Sequence, residues 1–210
     1  MVKIMNKQIV IAISREFGSG GHTIAEKLAE HYNIPLYDKE MMYNIDDAKL
    51  NFIDTTDLKG KPVKLLEQDA MLASGPITLN ERFDKMTFNY LETKAFVEKE
   101  SFVAIGRCAD SILKEHPNLI RIFVRADLSK KVEYVKELFN LNEKQALKKI
   151  AKEDKRRKTY HNYYADHKWG DSRGYDICIN SSKFGIEKTV EALIAYIDIE
   201  RELIGHEIQK

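Results

Sequence analysis

An unbroken apolar run, "QIVIAIS" at 8–14, ends at Arg15 and passes through "GSGG" (18–21) straight into a helical repeat. No other feature constrains the chain as much. A β-branched run without alternation is a strand covered on both faces, so helices must lie on either side of it. The first helix follows at once. Ile24, Leu28 and Tyr32 recur at helical spacing, with Ala25 and Ala29 beside them and Asn33 closing the segment.

The same alternation continues along the chain. "IPLYD" (34–38), "SFVAIG" (101–106), "LIRIFVRA" (119–126) and "YDICIN" (175–180) read as four further strands. Helices are expected over 39–53, around Val63–Leu72, over about 80–99, over 128–139 behind an Asp127 cap, and along the basic stretch 142–160. A closing helix over 185–205 carries the stripe Ile186, Val190, Leu193, Ile194 and Ile197. Short apolar strands alternating with helices predict an α/β fold, a parallel sheet with helices on both faces. Residues 54–80, with Gly60, Pro62, Gly75 and Pro76, read as a long loop of the kind used for lids or binding.

Charge narrows the partners. Thirty-four basic residues face 33 acidic ones, a balance that gives no electrostatic reason for a nucleic-acid or membrane partner. No apolar run approaches the ~18 residues of a membrane span. Lys3 and Lys7 precede a short apolar run that Arg15 and Glu16 end without a cleavage site, so it reads as a strand rather than a signal peptide. The 210 residues suit one domain, with or without an inserted lid. Cys108 and Cys178 stand too far apart for a metal knuckle or a disulfide framework, and a reducing cytoplasm is the expectation.

A strand, a glycine-rich turn and a helix together suit phosphate. Glycines let backbone N–H groups converge on an anion, and the helix adds its free N–H groups and the positive end of its dipole. Gly18, Ser19, Gly20, Gly21, His22 and Thr23 would form this cradle, with the Thr23 hydroxyl placed to hold Mg²⁺. The other reading is an ordinary glycine-rich turn. Against the pattern GxxxxGK[ST], Arg15 stands where the first glycine belongs and Gly21 where the lysine belongs. A working site then needs a cation from elsewhere, and Arg15, His22 and Lys39 are nearest in sequence.

Other residues cluster at predicted strand ends. Gly106, Arg107 and Asp110 follow the third strand, where ligands of open parallel sheets bind. Arg107 either grips an acceptor phosphate or caps the sheet as a surface cation. Asp38, after the second strand, either holds a Mg²⁺-bound water or the acceptor, or caps the next helix. Lys144, Lys148 and Lys149 read as a solvated helix face. Tyr160, Tyr163, Tyr164 and Trp169 pack a lid, stack on a base or form local core. His161 and His167 lack sequence neighbours at zinc-ligand spacing, and His31, His116 and His206 sit in no motif.

Four stretches resemble the cytidylate kinase-like family, in the nucleoside monophosphate kinase branch of the P-loop kinases. They are "ISREFGSGGHTIAEKLAE", "PLYDKEMM", "FVAIGRCADSIL" and "KEDKRRKTYHNYYADHKWGDSRGYDICINSSKFGIEKTVEAL". The family's variant phosphate loop also tends to lack the lysine. The resemblance implies a P-loop kinase fold with five parallel strands in the order 2-3-1-4-5. It implies a nucleotide or acceptor cap near 40–95 and a lid near 155–173. It also implies phosphoryl transfer from ATP with Mg²⁺ to a small acceptor, a nucleoside monophosphate above all. Lid arginines of the family lie over the transferring phosphate. Arg157 fits the D-x-x-R-x-x-Y spacing from Asp154 to Tyr160, with Arg156 beside it. These two and Arg107 are the expected catalytic cations, and Asp38, Arg107 and Asp110 the expected acceptor contacts. Cytidylate kinases proper carry an acidic residue after the third-strand arginine, where Cys108 stands here. The competing reading is a nucleotide-binding regulatory module without turnover.

Overall fold

The computed structural model describes residues 8–39, 41 and 79–207. The helix expected around Val63–Leu72, and all but the start of that expected at 39–53, lie outside them. The described elements are β1 (Val10–Arg15), α1 (Gly21–Tyr32), β2 (Leu36–Tyr37), α2 (Leu79–Glu92), β3 (Phe102–Ile105), α3 (Ala109–Ile112), β4 (Leu119–Arg125), α4 (Leu128–Phe139), α5 (Glu143–Tyr164), β5 (Ile177–Asn180) and α6 (Ser181–Glu207). A π-helical turn, Thr93–Val97, continues α2, and a 3₁₀ turn, Ser172–Gly174, precedes β5.

The strands form one sheet in the order β2-β3-β1-β4-β5, every pairing parallel. Its two faces explain why the strands are apolar without alternation. Ile9, Ile11 and Ile13 pack with Ile24 and Leu28 of α1 and with Leu193 and Ile197 of α6. Val10 and Ala12 point the other way, toward Leu91 of α2, Ala95 and Leu113. Successive side chains of a strand alternate between faces, so a central strand must be apolar at every position. A smaller core, Val132, Val135, Ala146 and Ile150 with Phe17 against it, joins α4 to α5.

Two helix starts depart from the expectation. Asp127 holds the N-cap position of α4, but its side chain makes no cap bond and instead accepts from Asn180 Nδ2 at 2.8 Å. The last helix begins four residues earlier than Gly185, which breaks it with φ 73° and ψ 173°. By contrast, Asn142 and Gln145 form a reciprocal capping box that opens α5. Parallel pairing brings the C-terminal ends of β1, β3 and β4 to one rim. Ile13 pairs with Ile105 and Arg15 with Val124, so Arg15, Gly106 and Arg107 emerge close together.

Candidate active site

The turn after β1 is built around glycine. Gly18 and Gly20 take left-handed conformations, φ 79° and 73°, that favour glycine. The first rung of α1 is donated by Ile24 N–H to Gly20 C=O at 3.0 Å, so the amides of Gly21, His22 and Thr23 precede the hydrogen-bonded ladder. The polar groups behind the turn are already held. Ser19 Oγ donates to Glu16 C=O at 2.9 Å, and Ser181 Oγ donates to Ser19 C=O at 2.7 Å.

Gly21 has a steric reason. A Cβ there would stand 2.6 Å from Arg15 Cβ and 2.8 Å from Arg15 Cγ. The Arg15 side chain runs beneath Gly21 and ends against Gly106, where a Cβ would collide with Nη1. Relative to the usual loop pattern, glycine and cation have changed places. The cation comes from the strand end, and the lysine's position is emptied to let it through.

Like charges crowd around this guanidinium. The pKa of Arg15 is lowered to about 9, first by burial and then by Arg157 and Arg156, with Asp38 offsetting part of the effect. It remains a cation at neutral pH. Arg157 is likewise lowered, first by burial, with Asp154 opposing and Arg156 adding to the shift. Its Nη1 donates to Arg15 C=O at 3.0 Å, and its guanidinium lies 5.5 Å from the Phe17 ring centre. Arg15 Nε is buried without a hydrogen-bond partner. Arg15, Arg107, Arg156, Arg157 and Lys39 line one cleft of about 560 Å³, including its open mouth. Tyr160, His161 and Trp169 also contribute to its wall.

The helix carrying Arg156 and Arg157 is tied to the turn. Phe17 N–H donates to Asp154 Oδ1 at 2.6 Å, while Asp154 Oδ2 accepts from Lys131 Nζ at 2.7 Å. Lys131 is 5% exposed and also reaches Glu16 Oε2 at 3.2 Å. The basic run of α5 is therefore only partly a solvated face. Lys144 and Lys148 are exposed as expected, but Lys149 Nζ sits 4.2 Å from the centre of the Phe139 ring.

Beyond β3 the backbone turns through Gly106, Arg107 and Cys108 with φ of 73°, 55° and 56°. Three successive left-handed residues, two with side chains, are sparsely populated geometry that needs support. Arg107 supplies it. Its Nη2 donates to Asp84 at 2.7 Å, and its guanidinium lies 5.0 Å from the centre of Phe83 and 5.3 Å from that of Tyr160. Asp84 also accepts from Tyr160 at 3.0 Å and Tyr164 at 2.9 Å. Sequence reading missed Asp84 and Lys131, although both leave a trace. Asp84, Thr87, Leu91 and Ala95 recur at helical spacing, as do Leu128, Lys131 and Val135, so each charge interrupts an apolar stripe.

The remaining expected residues divide. Asp38 is not on the cleft wall; its Oδ1 caps the following turn by accepting from Met41 N–H at 2.7 Å, while its charge still acts on Arg15. Asp110 is 2% exposed and faces His161 at 2.8 Å rather than the cleft. Burial pushes the Cys108 thiol up, which leaves it a poor nucleophile. Trp169 packs edge-on against Phe123 of β4, 5.3 Å between ring centres.

Residues 10–183 match the model of the cytidylate kinase-like family. Among solved structures, an uncharacterized protein from Eubacterium ventriosum ATCC 27560 is 43% identical, with a TM-score of 0.71, over 91% of this chain and 99% of that one. A gluconokinase from Sinorhizobium meliloti 1021 shares 13% identity with a TM-score of 0.55 over 95% of this chain and 97% of that one. A shikimate kinase from Bacteroides thetaiotaomicron shares 13% with a TM-score of 0.51 over 90% and 98%. At such identity the last two show the fold alone, that of the P-loop kinases. No curated protein matches the sequence. Among the described residues no helix is long and apolar enough to cross a membrane. With its parallel 2-3-1-4-5 sheet and a family match over most of its length, the chain belongs to the cytidylate kinase-like family.

Proposed function

We propose that this cleft transfers the γ-phosphoryl group of ATP to the phosphate of a nucleoside monophosphate. Family membership supports ATP-dependent phosphoryl transfer in general. The crowding of Arg15 against Arg157 beside a turn with unspent amides carries the reading at this site. Cations brought together at the cost of mutual repulsion favour a polyanion, whose arrival offsets that repulsion.

The amides of Gly18, Gly20, Gly21, His22 and Thr23 and the Arg15 guanidinium would hold the nucleotide's phosphates, the Ser19 N–H already donating to Glu16 C=O. Arg157, with Arg156 beside it, would face the moving phosphoryl group, where positive charge is worth most as negative charge shifts toward the leaving oxygen. Mg²⁺ would neutralise phosphate charge, held by the Thr23 hydroxyl, while Asp38, whose Oδ1 caps the following turn off the cleft wall, would reach it only through a bound water. The buried, unpartnered Nε of Arg15 and Nε of Arg107 suit anionic ligands on either side of the cleft. Arg107 would bind the acceptor phosphate. In the reaction an acceptor oxygen forms the new P–O bond and ADP departs with the electrons of the old one. A phosphate oxygen is already ionised at neutral pH, so no general base is required. Nucleotide and small acceptor are the only partners invoked. An exposed free thiol at Cys178 suits a reducing cytoplasm.

ADP release measured across the nucleoside monophosphates, against an ATPase blank, tests the reading. Turnover well above the blank with one of them supports it. Tight ATP binding with no turnover on any acceptor would replace it with the regulatory module.

A further inference from the structure

Six buried side-chain polar atoms among the described residues have no hydrogen-bond partner, and four of them meet in one place. They are Asp110 Oδ1, His161 Nδ1, His167 Nε2 and Tyr175 Oη. Asp110 comes from α3, His161 from the end of α5 and His167 from the segment that follows. Nε2 of His161 lies 2.8 Å from Asp110 Oδ2, and Nε2 of His167 lies 3.2 Å from the same oxygen. The three donor atoms fall within 4.8 Å of one another. Asp110 and His161 are only 2% and 4% exposed.

Hydrogen bonds alone leave this cluster poorly served. Both imidazoles approach the same carboxylate oxygen, the second without hydrogen-bond geometry, while Asp110 Oδ1 is left unpaired. The far nitrogen of His167 shows why. Nδ1 stands 3.3 Å from Asp166 Oδ1, and Asp166 is itself fixed by Lys114 at 2.6 Å and Ser111 at 3.2 Å. A neutral imidazole that donates from Nδ1 to a carboxylate presents a bare lone pair at Nε2. That lone pair meets Asp110 Oδ2, 3.2 Å away, only through a cation between them: a proton, which the carboxylates of Asp110 and Asp166 favour, or a metal ion held by both atoms. A histidine whose outer nitrogen is anchored on a carboxylate is the usual support of a metal ligand.

We propose that Asp110, His161 and His167 form a site for one divalent transition-metal ion of the zinc class, independent of the phosphoryl-transfer reading. Two imidazoles and a carboxylate suit such an ion. Ligand bonds of about 2.0–2.2 Å place neighbouring donor atoms roughly 3–3.5 Å apart, close to the 2.8 and 3.2 Å from Asp110 to the two histidines; with all three donor atoms within 4.8 Å, the histidines would close around the ion. A fourth position falls to water or to the Tyr175 hydroxyl, which is close enough to feel the charge of Asp110. The role is structural: the ion staples the end of α5, downstream of Arg156 and Arg157, to the turn after β3. Sequence spacing hides the site, because Asp110 lies 51 residues before His161.

The test uses the full, tag-free chain, stripped with a chelator and titrated with Co²⁺ in the absence of nucleotide. Visible d–d absorption should saturate at one equivalent, and added Zn²⁺ should bleach it. Asp110→Asn, which keeps the side chain's shape, and His167→Ala should each weaken uptake at least 100-fold, and Asp166→Asn about 10- to 100-fold. Zn²⁺ should raise the Tm of the wild type but not that of Asp110→Asn, a readout that holds even if His167→Ala folds poorly. Absence of uptake by folded wild type at millimolar Co²⁺ overturns the proposal and leaves a protonated His167 in the ion's place. Uptake equal to wild type in both ligand variants overturns it as well, by placing the ion elsewhere.

Discussion

The two sides of the cleft treat their arginines in opposite ways. On the β1 side, Arg15 and Arg157 are pressed together, and the one hydrogen bond between them runs from a guanidinium to a backbone carbonyl. On the β3 side, Arg107 already has a carboxylate partner and lies between two rings, with the Arg107–Asp84 pair only 12% and 9% exposed. A crowded cation is prepared for a polyanion. A neutralised cation is prepared for shape, and it gains a second anion only in competition with Asp84. Under the proposed function, the phosphate end is organised in advance, while the acceptor end selects.

The largest expected effect breaks the first side. Arg157→Ala should lower kcat about 10³-fold while ATP affinity changes less than about tenfold, whereas Arg15→Ala should weaken ATP binding as well as transfer, as single-turnover kinetics and calorimetry would show. An active enzyme from which both Arg156 and Arg157 can be removed without loss would sink the role given to α5.

Next comes the exchange of glycine and cation. Gly21→Lys alone should cost roughly 100-fold in transfer, because its Cβ meets Arg15. Overpacking of this kind typically costs about 1–3 kcal/mol of stability. Combined with Arg15→Gly it should recover much of both losses, since that pair restores the glycine and the lysine of the common pattern, with His22 still standing where its hydroxyl residue belongs. A double variant no better than Gly21→Lys would mean that the two positions do not trade roles.

The acceptor side should respond more mildly. Asp84→Asn should lower stability by about 1–3 kcal/mol, by weakening a buried charge-assisted network. It should lower the acceptor KM several-fold, because Arg107 is no longer neutralised, with ATP affinity unchanged. Equal shifts for both substrates would erase the distinction between the two sides.

The smallest effect lies outside the cleft and serves as its control. His116 accepts from Asn118 N–H at Nδ1 and lies 3.2 Å from Gln8 Oε1 at Nε2, and burial with nearby Lys99 lowers its pKa. A base with a lowered folded pKa is protonated first in the unfolded chain. Stability should therefore fall as pH drops below about 6.5 toward the folded value. Denaturant melts from pH 7.5 to 5 should show this slope, and His116→Gln should flatten it without altering turnover at neutral pH.

Much of this architecture was legible beforehand because it rests on short-range rules. Apolar strands, the glycine turn and the stripe of α6 declare themselves within a dozen residues each. The Asp154–Arg157–Tyr160 spacing was legible too, since helical neighbours are fixed by sequence. The partners of those residues were not. Asp84 meets Arg107 across 23 positions and Tyr164 across 80, and Lys131 meets Glu16 across 115. Only the packing of helices on the sheet brings such pairs together. The reason for Gly21 was hidden likewise, because it is the path of a side chain six residues earlier.

Asp154, Arg157, Tyr160, His161 and Tyr164 share one face of a single continuous helix. That face touches the turn after β1 at one end and Asp84 at the other. The stretch is therefore locked in length. Inserting or deleting one residue between Asp154 and Tyr160 would swing everything downstream by about 100° around the helix axis. The tyrosines would then face solvent while Asp154 kept its place. Single substitutions here can be absorbed one contact at a time, but a change in residue count cannot, so descendants of this chain should vary in letters across 154–164 and not in number.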